Sequence, residues 1–183
     1  NWNCRLMPVK ILNSSNSGFY SWFGSGITYA VDNNAKVLNM SVGGQTFNQG
    51  LADAVTYAFS NGRIVVACMM NNNNNVTYYP AGFSNVIAIG AINNRMFRAV
   101  PFCWGGGSSY GPHIDFAAPG EMILGLVYNN PNTTSYWCGT SQATPMTLGV
   151  ISLLYSVNPA LTYDDVYNAL KNSARDQVGP VSE

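Results

Sequence analysis

The chain has 183 residues, 47% of them hydrophobic, enough for one sizeable core and in keeping with a single domain. Eight basic and eight acidic residues leave a formal net charge of +0, so no strong field points to nucleic acid, a membrane surface or a highly charged substrate. Only 9% of residues are charged, against about 25% in ordinary soluble domains, and a surface carried by Asn, Ser, Thr, Gly and Tyr leans toward secretion.

In chain order, "CRLMPVKIL" (4–12) reads as a strand and "NSSNSG" (13–18) as a polar turn. "YSWFGSGITYAVDNN" is amphipathic, predicting a helix over 20–32 that ends at an Asn pair. "KVLNMSV" is nearly continuous in apolar residues, the pattern of a strand buried on both faces, here 37–42. Next, Leu51, Ala54, Val55, Ala58 and Phe59 form the stripe of a helix over 49–61. Gly62 stands where a helix end wants a residue tolerant of the left-handed conformation. "RIVVACM" and "VIAIGAI" predict buried strands over 64–69 and 86–92, separated by the tract "NNNNN" (71–75), read as a surface loop beyond its first residue. Strand, helix, strand at this spacing is a βαβ unit. Its repetition predicts an α/β fold of three layers, αβα, around a mainly parallel sheet. "HIDFAAPG" and "EMILGLVY" suggest short strands around a turn. "TPMTLGVISLLYSVNP" reads as a buried helix over 141–157 with Pro145 in its first turn. A last helix, 162–173, starts at Thr162, whose side chain can cap it, with Asp164 and Asp165 in the dipole-favoured first turn.

No apolar run approaches the roughly 18 to 20 residues of a membrane span. Four cysteines, Cys4, Cys68, Cys103 and Cys138, allow three pairings, and none has the C-x-x-C spacing of a zinc or redox site. A nucleotide-binding reading finds no G-x-G-x-x-G or P-loop after a strand.

The chemistry centres on "CGTSQATPM" (138–146). A serine at a strand-to-helix junction exposes its hydroxyl, and its own N–H points at charge developing nearby. Ser141 fits this, as does the adjacent Gly139, which allows close approach of a substrate backbone. Ser141, Thr140 or Thr144 can equally act as a plain helix cap. Asn71 ends the apolar strand "RIVVACMM", at the sheet edge where α/β sites form, and its amide can donate to an oxyanion.

Together these stretches resemble the subtilisin-like serine proteases. "GTSQATPMTLGVISLLYSVNPALT" is similar to that family's serine signature, G-T-S-M-A-T-P-H-V-A-G, and "VLNMSVGG" to its substrate-binding strand. "RIVVACMMN" matches the strand ending in the oxyanion asparagine, "YYPAGFSNVIAIGAI" the stretch after it, and "SSYGPHIDFAAPG" the S-x-G-x-x-x-D-x-x-A-P-G turn. The resemblance implies a secreted endopeptidase with Ser141 as nucleophile and Asn71 as oxyanion donor. It implies that Ser41, Val42 and Gly43 pair with the substrate backbone and wall the pocket for the residue before the cleaved bond. Ser17 and Gly18 would pair from the other side, and Tyr20, Phe23 and Val42 would line the pocket for the fourth residue upstream. Backbone carbonyls of Ala81, Phe83 and Val86 match a weak cation site, where calcium would act as a structural ion; the chemistry itself requires no cofactor. Cys68, Met69 and Met70 replace the family's usual Ala-Ala-Gly, and larger side chains there narrow the first specificity pocket or push its wall.

In this family the triad runs Asp, His, Ser along the chain. The motifs D-[ST]-G and H-G-T-H-V-A-G are missing from these 183 residues. The only histidine, His113, falls in the "AAPG" turn at a position without a catalytic role. The expectation is therefore one subtilisin-like domain lacking its N-terminal portion, with the Asp and His motifs, and its last segment. Its partners would be a peptide or protein substrate, the missing N-terminal segment or a chain carrying it, and a propeptide inhibitor, with no nucleic acid or membrane. The alternative is a non-catalytic peptide-binding relative. The family also folds the loop holding Cys103 toward the rim that holds Cys138, which makes Cys103–Cys138 the expected disulfide and Cys68 a buried thiol.

Overall fold

The structure, a computed structural model, describes residues 1–128 and 130–175. In chain order the elements are α1 (Tyr20–Asp32), β1 (Val37–Met40), α2 (Gln49–Ser60), β2 (Ile64–Cys68), β3 (Val86–Ile92), β4 (Phe116–Pro119), β5 (Ile123–Val127), β6 (Asn130–Trp137), α3 (Thr140–Val157) and α4 (Tyr163–Ser173). Strands β1 to β4 form one parallel sheet in the order β1-β2-β3-β4, with Val37 opposite Ile64, Val65 opposite Val86 and Ile89 opposite Phe116. All five residues of β2 and all seven of β3 are buried, as continuous apolar runs require when helices cover both faces.

Successive side chains of a strand point to opposite faces, and they divide the core in two. Val65, Ala67, Val86 and Ala88 join Leu51 and Val55 of α2 and Ile27 of α1 in one cluster. Ile64, Val66, Ile87 and Ile89 join Ile151 of α3 and Val166 of α4 in the other. The result is the three-layer αβα fold expected from the periodicity.

Local signals explain the helix ends. The Asn48 side chain accepts the Leu51 N–H at 2.9 Å and starts α2, while Gly62 takes φ +67° just beyond its end. The Thr162 hydroxyl accepts from Asp165 N–H, and Asp165 accepts back from Thr162 N–H, a reciprocal cap for α4. Pro145 sits in the second turn of α3, not the first, so the helix lacks the bond its N–H would give to the Ser141 carbonyl.

Two expectations need correction. Residues 4–12 form no strand; they are largely exposed, with Ile11 and Leu12 resting on the core, because no described strand lies beside them to complete a ladder. The short strands expected on either side of a turn are present as β4 and β5; β4 joins the parallel sheet and β5 pairs antiparallel with β6, a strand the sequence reading did not include. The asparagine tract is no plain surface loop. Asn74 is half-buried, bonded to Tyr78 and Ser109, and Asn73 donates its N–H to the Gly107 carbonyl.

Candidate active site

In a parallel sheet every strand ends on the same edge, and three of the segments singled out in the sequence meet there. Ser41 follows β1, Asn71 lies beyond β2, and Ser141 is the second residue of α3. The Asn71 side-chain oxygen accepts from both Thr140 N–H and Thr140 Oγ1, each at 2.8 Å. A backbone N–H can only donate, so the atom facing it is the oxygen and the amide NH2 is turned outward. That NH2 has no hydrogen-bond partner among the described residues, and neither has the backbone N–H of Ser141. Two donors are thus left beside the Ser141 hydroxyl, at the positive end of an 18-residue helix.

Pro145 has a second consequence here. The Ser141 carbonyl, deprived of its helical donor, accepts instead from the Ser41 hydroxyl at 3.0 Å, which Asn39 Nδ2 in turn holds at 3.0 Å. The segment 41–43 is thereby fastened to Ser141. Neither Val42 nor Gly43 makes a backbone hydrogen bond among the described residues, until Gly44 pairs with Tyr79.

Beneath Ser141 lies Cys68, 1% exposed. Burial pushes its thiol above the ordinary value, opposed by the Met70 backbone and by the hydroxyls of Thr140 and Ser141. Its sulfur is 3.7 Å from Met70 Sδ. Met69 is fully buried in the α1/α2 core and so contributes nothing to an open pocket.

The rim is held from the other side by residues that sequence patterning did not single out. Gly107 N–H donates to the Asn71 carbonyl, and Trp104 Nε1 donates to the Cys138 carbonyl at 2.7 Å. The Cys103–Cys138 disulfide is formed, with Cα atoms 6.0 Å apart, and Cys4 and Cys68 are free. The tryptophan in "CWGGG" was the available signal.

The remaining expected positions divide. The Ser17 N–H and carbonyl both bond to Asn13, leaving Gly18 as the residue of that pair with backbone groups to offer. A side chain at Gly18 would strike the Ile11 carbonyl at 2.5 Å, so only glycine fits. Phe23 is core, 5% exposed; Tyr20 stacks edge-on against it and sets its hydroxyl against Gly44, with Val42 half-buried nearby. The carbonyls of Ala81, Phe83 and Val86 supply three of the six to eight oxygens calcium takes. Phe83's already accepts the Val86 N–H, and no cluster of three acidic, His or Cys side chains occurs among the described residues. His113 lies before β4, its ring against Gly111, with Nε2 buried and unpartnered; no hydrogen bond joins it to Ser141.

A serine flanked by two free donors, at the carboxyl edge of a parallel sheet, is the layout of an acyl-transfer site. The family model described as "Subtilase family" matches residues 1–183, and the chain belongs to that family. It is 37% identical over 171 residues to thermitase of Thermoactinomyces vulgaris, covering 92% of this chain and 57% of that protein. It is 36% identical over 176 residues to subtilisin DY of Bacillus licheniformis, covering 94% and 61%. Among solved structures, a cold-adapted subtilisin-like serine proteinase superposes with a TM-score of 0.81 at 28% identity, over 90% of this chain and 58% of that one. The chain therefore spans about three fifths of these three proteins, and its fold is the subtilisin fold. Among the described residues no helix is long and apolar enough to cross a membrane.

Proposed function

We propose that this chain carries the nucleophile and oxyanion half of a secreted serine endopeptidase. The observation that carries the reading is the Asn71 amide: with its oxygen held by Thr140, its NH2 and the Ser141 N–H are the two free donors beside the hydroxyl. In the reaction, Ser141 Oγ adds to the peptide carbonyl carbon while its proton passes to a base. The oxyanion rests between the two donors, the amine leaves with that proton, and water hydrolyses the acyl-enzyme. The substrate lies along the free backbone groups of Val42 and Gly43, with Gly18 on its other side. No cofactor takes part; a calcium ion on the carbonyls of Ala81, Phe83 and Val86 is a structural ion that water or other oxygens must complete.

The base and its orienting acid come, in this reading, from a further segment of the protein or a separate chain. The free edge of β1 supports that source, since a strand laid parallel to it ends beside Ser41, within reach of Ser141. So does α3, whose Met146, Val150, Leu153 and Val157 form an apolar stripe between 43% and 86% exposed. A propeptide laid along the substrate segments would inhibit.

The test is labelling of the intact protein by a fluorophosphonate, expected at Ser141 and absent in Ser141→Ala. The second reading is a peptide-binding relative without chemistry, which the free backbone groups of Val42 and Gly43 would serve equally well. It prevails if the folded intact protein, freed of any propeptide, binds peptides but takes neither label nor substrate.

A further inference from the structure

Segments 41–43 and 68–70 are neighbours at Ser141, and a peptide whose carbonyl carbon sat at Ser141 Oγ with its oxygen facing Asn71 would set the side chain of that residue in the trough between them. Three larger residues stand along one wall of it, and the structure separates their effects. Met69 points into the core and Cys68 is buried under Ser141. Met70 is different. It is half-exposed and adopts φ +66°, the left-handed conformation that costs a residue with a Cβ on the order of 1 kcal/mol or more. Its backbone is held there by Ser109 N–H, which donates to the Met70 carbonyl at 3.1 Å.

That conformation turns the Met70 side chain across the trough. A Cβ placed on Gly43 would lie 3.3 Å from Met70 Sδ and 3.6 Å from its Cγ, while the same sulfur is 3.7 Å from Cys68 Sγ. Met70 Sδ thus lies next to Gly43 on the facing segment, while Cys68 backs it from its own wall. An aromatic ring slotted between two walls needs them about 7 Å apart, two contacts of roughly 3.5 Å each, and a thioether standing next to Gly43 takes up part of that space.

We propose that Met70 is the specificity-determining residue of this site, filling the pocket so that only peptides with Gly or Ala before the cleaved bond seat their carbonyl at Ser141. The kinetic form of this assignment rests on the endopeptidase reading; its binding form does not. Opening the pocket requires the Met70 side chain to leave, which a flexible thioether permits at a cost that larger residues must meet from their own binding.

The test uses the intact protein and its Met70→Gly variant, glycine being the residue best suited to φ +66°, with Met70→Ala as a second variant. Peptides differing only in the residue before the cleaved bond (Gly, Ala, Leu, Phe) give kcat/KM. In parallel, calorimetry measures binding of product peptides ending in Ala or Phe. The native protein should prefer Ala over Phe by about tenfold or more, and Met70→Gly should shift that ratio toward Phe by a similar factor. Equal use of Ala and Phe by the native protein, or a ratio unmoved by Met70→Gly, overturns the proposal. If nothing is hydrolysed but the binding ratio shifts, the endopeptidase reading fails and the pocket assignment stands. If neither rate nor binding ratio responds, the pocket assignment fails.

Discussion

At Asn71 a single amide has two ends with different partners: its oxygen ties Thr140, and its NH2, without a partner among the described residues, is the donor proposed for the oxyanion. Asn71→Asp separates them, keeping an acceptor for Thr140 while removing the donor. It is expected to lower kcat by about 10² to 10³ with the fold retained, the range known for the oxyanion asparagine of subtilisin itself; circular dichroism beside the kinetics checks both halves. Cys68 makes a pH prediction. Burial raises its folded-state ionisation above the ordinary 9.0, so the native state holds the thiol proton longer than the unfolded chain. Stability from this source is complete below the ordinary value and declines as pH rises through it. Denaturant midpoints measured from pH 7 to 10.5 should therefore fall less steeply in Cys68→Ala than in the native protein. That Asn71 and Ser141 would meet at one sheet edge was legible because motif and strand position agreed. The turn of Met70 across the trough was not, because a positive φ at methionine is set by tertiary contacts and leaves no mark in the sequence.

Among elements, α3 shows how a local defect becomes a connection. Pro145 removes one helical bond and Ser41 supplies another to the same carbonyl, linking β1's extension to the helix that carries the nucleophile. Ser41→Ala leaves that carbonyl short of a donor and should cost roughly 1 to 3 kcal/mol if water cannot replace it. With substrate contacts displaced, KM should rise more than kcat falls, and steady-state kinetics with a denaturant curve read both effects. The strands β2 and β3 could be read from sequence because burial on both faces forces unbroken apolar runs, whereas β1, expected to be buried on both faces, buries Leu38 and Met40 and exposes Asn39, as an edge strand can. The hairpin partner β6, "NPNTTSYW", could not: Thr133, Thr134, Ser135 and Tyr136 are all exposed, so no alternation betrays it. The segment 4–12 failed in the opposite sense, since apolar character alone makes no strand where no neighbour completes its hydrogen bonds.

On the scale of the whole molecule, the sheet is closed against helices on both faces but open along β1. In the intact protein, amide hydrogen exchange over 37–40 should be as slow as over 64–68, because a pairing strand protects both edges of β1. Fast exchange at 37–40 would mean that the base does not arrive on that edge. The Cys103–Cys138 bond reaches further than the rim it braces. It closes a covalent ring with a sequence separation of 35 that contains all of β4, β5 and β6. When heat or denaturant melts the sheet, this ring persists, and the unfolded chain is denied the conformations it excludes. In the chain-entropy description a ring of that size favours the folded state by about 4 kcal/mol. The disulfide thus acts on a population in which no active site exists, and a reductant should lower the melting temperature even under conditions that leave the native geometry around Ser141 unchanged.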